Sequence, residues 1–177
     1  MIKGENLPQT GTPARAEIRS KRFRQPTSGV APGFVQANLA ILPEESAFEF
    51  LLFCQRNPKP CPVIEVLESG AYEARITAPG SDVRTDVPKY RIYRNGTLER
   101  EVEDLLDVWT DDLVTFLLGC SFSFEKALLD NGIPLPHFEG GKNVAMFKTN
   151  VDTIPAGRFA GPMVVSMRWV PHNKVVR

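Results

Sequence analysis

Apolar positions along the chain change their spacing several times, and each change marks an element. In Phe34–Leu42, Val35, Ala37, Leu39 and Ile41 alternate with Gln36 and Asn38. That period of two predicts a strand, with a helix as second choice. Pro43 and the acidic pair Glu44-Glu45 then open a helix that runs to about Arg56. Phe48, Leu51 and Leu52 fall on helical spacing there, and acidic side chains suit a first turn. Asn57-Pro58-Lys59-Pro60-Cys61-Pro62 ends it, because three prolines cannot continue a helix. Val63–Leu67 reads as a short strand. Two alternating runs, Lys89–Arg94 and Thr97–Val102, flank Asn95-Gly96. This pattern predicts a hairpin at about 89–102.

Further on, Thr110-Asp111-Asp112 reads as a helix start, with Leu113–Leu118 as its apolar body and Gly119 interrupting it. A second helix is predicted from Ser123-Phe124-Glu125 to Asn131-Gly132, a suitable C-cap pair. The stretch Gly119–Ser123 would then join two helices. Val144–Thr149 and Pro162–Val170 read as buried strands, and Pro171 as the start of another helix. Toward the N-terminus, residues 1–11 read as a flexible arm. Thr12-Pro13 caps and opens a short helix to about Arg22. Gln25–Gly33 is a breaker-rich loop. Helices interleaved with strands give a mixed α/β class, a mixed sheet with flanking helices.

Composition narrows the function. The chain has 177 residues, 21 Lys+Arg against 21 Asp+Glu, and a 42% hydrophobic fraction. Disorder is excluded by the hydrophobicity and the absence of net charge. No basic excess favours a nucleic-acid partner. A chain of this length buries roughly 70% of its unfolded surface, enough for a core without staples. Cys54, Cys61 and Cys120 are too few and too scattered for a disulfide framework, and a reducing cytoplasm is expected. No apolar run reaches the roughly 18 residues of a membrane span. His137 and His172 stand far apart, each beside a proline, and read as surface residues. No paired metal ligands and no cofactor motif are present, so neither metal nor cofactor is expected.

Four constellations carry candidate chemistry. Gly119-Cys120-Ser121-Phe122-Ser123 places hydroxyls and backbone N–H groups at a helix start, which suits an oxyanion. Cys120 would there be a nucleophile or proton donor with an eased thiol. The plainer alternative is a capping serine and a small buried thiol. In Asp82-Val83-Arg84-Thr85-Asp86, the Arg84 fork suits a carboxylate and Asp86 suits a base. A surface turn with an internal ion pair explains the same string. Arg158, between Gly157 and Gly161 and after Thr149 and Asn150, marks either a ligand loop or a turn. Gln36 and Asn38 could reach a ligand or face solvent.

Several of these segments together resemble a known family. The strings PTSGVAPGFVQANLAILP, FLLFCQRNPKPCP, DVRTDVPKYRIYRNG, FLLGCSFSFEKALLDNGIP and AGRFAGPMVVSMR occur in order from about Thr12 to the last residue. They are similar to the bacterial hydro-lyase family that also includes the D-glutamate cyclases of animal mitochondria. The resemblance implies one domain over 12–177, two intertwined subdomains, and a mostly cytoplasmic location. It implies a carbon–oxygen lyase acting on a small acidic amino or hydroxy acid. In the cyclase branch the reaction is D-glutamate to 5-oxo-D-proline plus water. Members are longer, which leads one to expect a further C-terminal segment in the family pattern.

Ring closure of glutamate needs an unprotonated amine, a held α-carboxylate, and donors for the departing γ-oxygen. Set beside that chemistry, Arg84 or Arg158 would hold the α-carboxylate. Cys120, Ser121 and Asp86 are the catalytic candidates. Ser123, Asn38 and Thr149 complete the substrate-binding set, and Asp86, Glu125 or a residue of the family's further C-terminal segment would serve as acid. The partner expected is a small-molecule carboxylate, with no nucleic acid and no membrane; a homo-oligomer is compatible. A non-catalytic carboxylate-binding or structural protein is the alternative.

Overall fold

A computed structural model describes residues 7–139 and 143–175; most of the predicted arm at 1–11 therefore lies outside the described residues. The elements run α1 (Gly11–Arg19), β1 (Ala37–Pro43), α2 (Glu44–Arg56), β2 (Val63–Val66), β3 (Tyr90–Arg94), β4 (Thr97–Val102) and β5 (Leu113–Gly119). A 3-10 turn (Ser121–Phe124) leads into α3 (Glu125–Asp130). Then come α4 (Pro136–Glu139), β6 (Met146–Asp152), β7 (Pro162–Ser166) and a last 3-10 turn (His172–Lys174). The class is mixed α/β, and all three sheets are antiparallel: β1-β5-β2, β3-β4 and β6-β7.

The centre of the molecule is β5. Val114 and Phe116 meet Phe50 and Cys54 of α2 on one face. The Phe50 and Phe116 rings contact edge-on at 4.9 Å, and Phe159 closes the same cluster at 5.1 Å from Phe50. On the other face Leu117 packs with Leu67, Ala74 and Val83. A strand covered on both sides needs no polar alternation. This corrects the helix expected at 113–118. The run Leu113-Val114-Thr115-Phe116-Leu117-Leu118 is mostly apolar because sheet position buries both faces, and with Gly119 it makes a seven-residue strand.

The hairpin forms where Asn-Gly predicted it. Asn95 and Gly96 take φ of 50° and 76°, the left-handed pair of a two-residue turn. Strands β6 and β7 exist, but the expectation that they are buried fails. Met146, Phe147, Val151, Val164 and Val165 are exposed, because this two-stranded sheet has no second layer among the described residues. At the N-terminal side, Leu7 packs against the cluster of Ala14, Val30 and Ala31, so the chain is tied down before α1 begins. Among the described residues no helix is long and apolar enough to cross a membrane.

Candidate functional site

β5 delivers the chain to the site. At its end Cys120 is extended and its N–H donates to the Gln36 carbonyl at 3.0 Å. The chain then turns sharply through Ser121–Phe124. Ser123 is fixed in this turn: its Oγ accepts the Gln36 N–H at 2.8 Å and lies 3.3 Å from the Gln36 carbonyl. The Gln36 side chain accepts the Thr27 hydroxyl at 2.7 Å and donates to the Thr27 and Val30 carbonyls. It therefore sews down the breaker-rich loop rather than reaching outward. Cys120 precedes a 3-10 turn that joins a strand to a helix, not two helices.

One turn later stands Glu125, 2% exposed. A buried carboxylate must be paired and hydrogen-bonded to remain charged. Arg168, just beyond β7, donates Nη2–H to Glu125 Oε1 at 2.6 Å. His137 on α4 places Nε2 at 2.8 Å from the same oxygen. The Ser28 hydroxyl donates to Oε2 at 3.3 Å. Around the guanidinium, Nη1–H donates to Ser166 Oγ at 2.8 Å and Nη2–H reaches Ser121 Oγ at 3.1 Å. The guanidinium also lies 4.7 Å from the Phe124 ring centroid. The Arg168 side chain is only 6% exposed, whereas Ser121 and Ser166 are half-buried at the rim. Three segments distant in the chain, carrying Ser28, His137 and Arg168, thus converge on one carboxylate.

This corrects the reading of His137 as a surface residue. Its side chain is 11% exposed and paired with Glu125. Arg168 and Ser28 were missed altogether. One signal for Arg168 stood in the sequence: a lone charge inside the apolar run Met163–Val170. His172 is exposed, as its context suggested.

The other expected residues lie elsewhere. Arg84 donates Nε–H and Nη2–H to the two oxygens of Asp82 at 2.9 and 2.7 Å, and stacks 3.9 Å from the Tyr72 centroid. Burial works to raise the Asp82 carboxyl, but hydrogen bonds from the Arg84 side chain and N–H outweigh it and hold Asp82 below the ordinary aspartate range. Asp86 receives Nε–H and Nη2–H of Arg19, both at 2.8 Å, and the Asp82 N–H at 2.9 Å. These bonds anchor α1 to the 81–88 loop. Asn38 is exposed on β1 and lines, with Asp86, a cavity of about 1210 Å³ walled mainly by apolar side chains of α1, β1 and β3. Arg158 is exposed and pairs with Glu49 of α2 at 3.2 Å. The glycine beside it serves that contact: a Cβ at Gly157, whose φ is +51°, would overlap the Glu49 carboxylate. The Thr149 hydroxyl donates to the Met163 carbonyl at 2.8 Å within the β6-β7 sheet. Of the expected residues, Glu125 is the centre of the cluster and Ser121 joins it through Arg168 and Ser166.

Burial pushes the Cys54 thiol up to about 11, and raises Cys61 as well. Both pack in or against the α2 core, where an unreactive thiol behaves as a small apolar group. Among the described residues, no three His, Cys, Asp or Glu converge as metal ligands.

Comparison with known proteins matches this chain along nearly its whole length. It is 58% identical over 170 residues to a putative hydro-lyase of Geobacillus kaustophilus, covering 96% of this chain and 65% of that protein. It is 59% identical over 163 residues to a putative hydro-lyase of Stutzerimonas stutzeri, covering 92% and 62%. The Bacillus subtilis putative hydro-lyase YcsI is 56% identical over 163 residues, covering 92% and 63%. The model of the family described as D-glutamate cyclase matches residues 114–177. The chain is thus similar to the putative hydro-lyases along most of its length and, over residues 114–177, to the D-glutamate cyclase family. It spans just under two thirds of the length of these curated relatives. The segment matched by the D-glutamate cyclase model contains Ser121, Glu125, His137, Ser166 and Arg168, that is, every member of the buried cluster except Ser28.

Proposed function

We propose that this protein is a carbon–oxygen lyase that removes water from a small acidic amino or hydroxy acid, and that D-glutamate, closing to 5-oxo-D-proline, is its substrate. The observation that carries the reading is the Glu125–His137–Arg168 cluster with serine hydroxyls at its edge. It gathers a cation, a proton-exchanging pair and hydrogen-bond donors in one water-poor place. In such surroundings each charged contact acts more strongly than in bulk water.

The chemistry asked of these groups balances within the substrate. The ammonium of glutamate gives up two protons and its nitrogen bonds to the γ-carboxyl carbon. One γ-oxygen departs with those two protons as water. A group that accepts the amine proton and returns it to the leaving oxygen is therefore sufficient. Glu125 and His137, sharing a hydrogen bond, form that pair. Cys120 and Ser123 shape the turn that presents Ser121. A cytoplasmic location fits the free thiols of Cys54, Cys61 and Cys120.

The test is product analysis by NMR after incubating the protein with D- and L-glutamate. We expect 5-oxo-D-proline from the D enantiomer, with at least a hundredfold loss in His137→Asn and Glu125→Gln. No 5-oxoproline from either enantiomer would sink the cyclase reading.

A further inference from the structure

The arginines of this protein hold carboxylates in two different ways. Arg19, Arg22 and Arg84 each use the fork formed by Nε–H and Nη2–H, giving one donor to each oxygen of Asp86, Glu17 and Asp82. This two-point grip is the arrangement in which a guanidinium and a carboxylate match best. Arg168 meets Glu125 through Nη2 alone. Its Nε is buried and has no acceptor among the described residues. It is also the most enclosed of these guanidinium groups, with 6% of its side chain exposed against 47% for Arg19 and 65% for Arg22. A charged donor left unpaired at that depth is costly, whereas an exposed one would simply hydrate.

The reason Glu125 cannot fill both positions is visible in its own bonds. Its Oε1 is shared between Arg168 and His137, and its Oε2 is turned toward Ser28. The carboxylate is drawn three ways, so only one oxygen meets the arginine. Ser121 and Ser166 hold the other donors of the guanidinium from the half-buried rim. The result is a rigidly placed cation with one strong donor still to be satisfied and hydroxyls beside it.

We propose that Arg168 is the residue that holds the substrate's carboxylate, donating its Nε–H to one of the carboxylate oxygens, with Ser121 and Ser166 as neighbouring hydroxyls. The inference rests on the reading of the protein as a lyase of small acids, and it names the group recognised and the residue that recognises it. It also distinguishes Arg168 from Arg84, whose fork is already filled by Asp82, and from Arg158, which pairs with Glu49 at the surface.

Titration calorimetry of the full chain with D-glutamate, glutarate and the α-amide of D-glutamate tests it. The wild-type protein should bind D-glutamate about tenfold or more tightly than the α-amide, since a charge-assisted contact is lost in the amide. Arg168→Lys should weaken D-glutamate about tenfold or more and bring the acid-to-amide ratio toward one, because lysine keeps the charge but not the fork. A purely structural arginine would not move that ratio. Arg84→Gln and Arg158→Gln are titrated alongside as the rival holders. Unchanged affinity and ratio in Arg168→Lys, a larger effect at either rival, or no binding of any acid by the wild-type protein overturns the assignment. If Arg168→Lys fails to fold by circular dichroism, Ser121→Ala and Ser166→Ala probe the same edge. Each should weaken D-glutamate about threefold or more, and no effect from either overturns the assignment. Turnover that persists with unaltered KM in Arg168→Lys sinks the anchor and leaves the reaction standing. Arg168-dependent binding without product supports the anchor and sinks the reaction.

Discussion

The molecule contains two ionic constellations built from the same residue types, and they do different work. In the 81–88 loop, Arg84 meets Asp82 and Arg19 meets Asp86 through complete two-point grips, with the arginines 23% and 47% exposed. At the end of β5, Arg168 and Glu125 meet through one hydrogen bond and are 6% and 3% exposed. The first constellation joins α1 to a loop, and every donor that it buries is satisfied. The second leaves a buried donor unmatched and draws in a histidine and three serines. Pairing alone does not distinguish a clamp from a site; the combination of burial with incomplete pairing does.

The largest test of that contrast is Glu125→Ala. Removing one partner of a buried pair leaves an uncompensated charge, so the variant should lose about 3–5 kcal/mol of stability in urea unfolding. His137 and Ser28 lose their acceptor in the same step. Asp86→Ala removes a carboxylate with an even better grip, yet Arg19 is half exposed and can hydrate. A smaller loss, about 1–2 kcal/mol, is expected there. A reversed order of the two losses would break the claim that burial sets the difference.

Next in size is the pH dependence of the loop. The Asp82 carboxyl is held below its ordinary value in the folded protein. Its contribution is therefore present above the unfolded aspartate pKa, roughly 3.9, and disappears as pH falls through the lower folded value. Asp82→Asn should melt about 2–4 °C below the wild-type protein at pH 7, corresponding to roughly 1 kcal/mol in a chain of this size. The two melting curves should converge as the pH drops toward 2. A constant difference across that range would show that the Asp82 contacts are not electrostatic in origin.

The same contrast explains what the sequence could and could not convey. Three of the four residues of the loop constellation lie within five consecutive positions, so Asp82, Arg84 and Asp86 were recognisable together, while Arg19 was not. The 119–123 turn was also visible, because serines and a cysteine crowd the start of α3. The cluster around Glu125 is assembled from Ser28, Ser121, Glu125, His137, Ser166 and Arg168, and no local period links them. His137 looked superficial because a proline and a short loop surround it. Its burial comes from the approach of α4 to α3, which is a tertiary event. In the fold, Asn95-Gly96 carries its own backbone requirement and was legible. β5 was not, because a strand buried on both faces has the composition of a buried helix.

The smallest effect sharpens the argument on a single helix. One residue after Glu125, Lys126 pairs with Asp130 at 2.7 Å, with 45% and 58% of the side chains exposed. The contact is nearly as short as the buried Arg168–Glu125 pair, yet both charges are already well hydrated. The order of charges also works against it: a cation nearer the N-terminus and an anion nearer the C-terminus oppose the helix dipole. Lys126→Ala should therefore change stability by about 0.3 kcal/mol or less, and less still in 1 M salt, where screening acts over about 3 Å. Urea midpoints at low and high salt measure this. A loss above about 1 kcal/mol would show that charge pairing itself stabilises α3, and Glu125 would then owe its importance to its partners rather than to its depth.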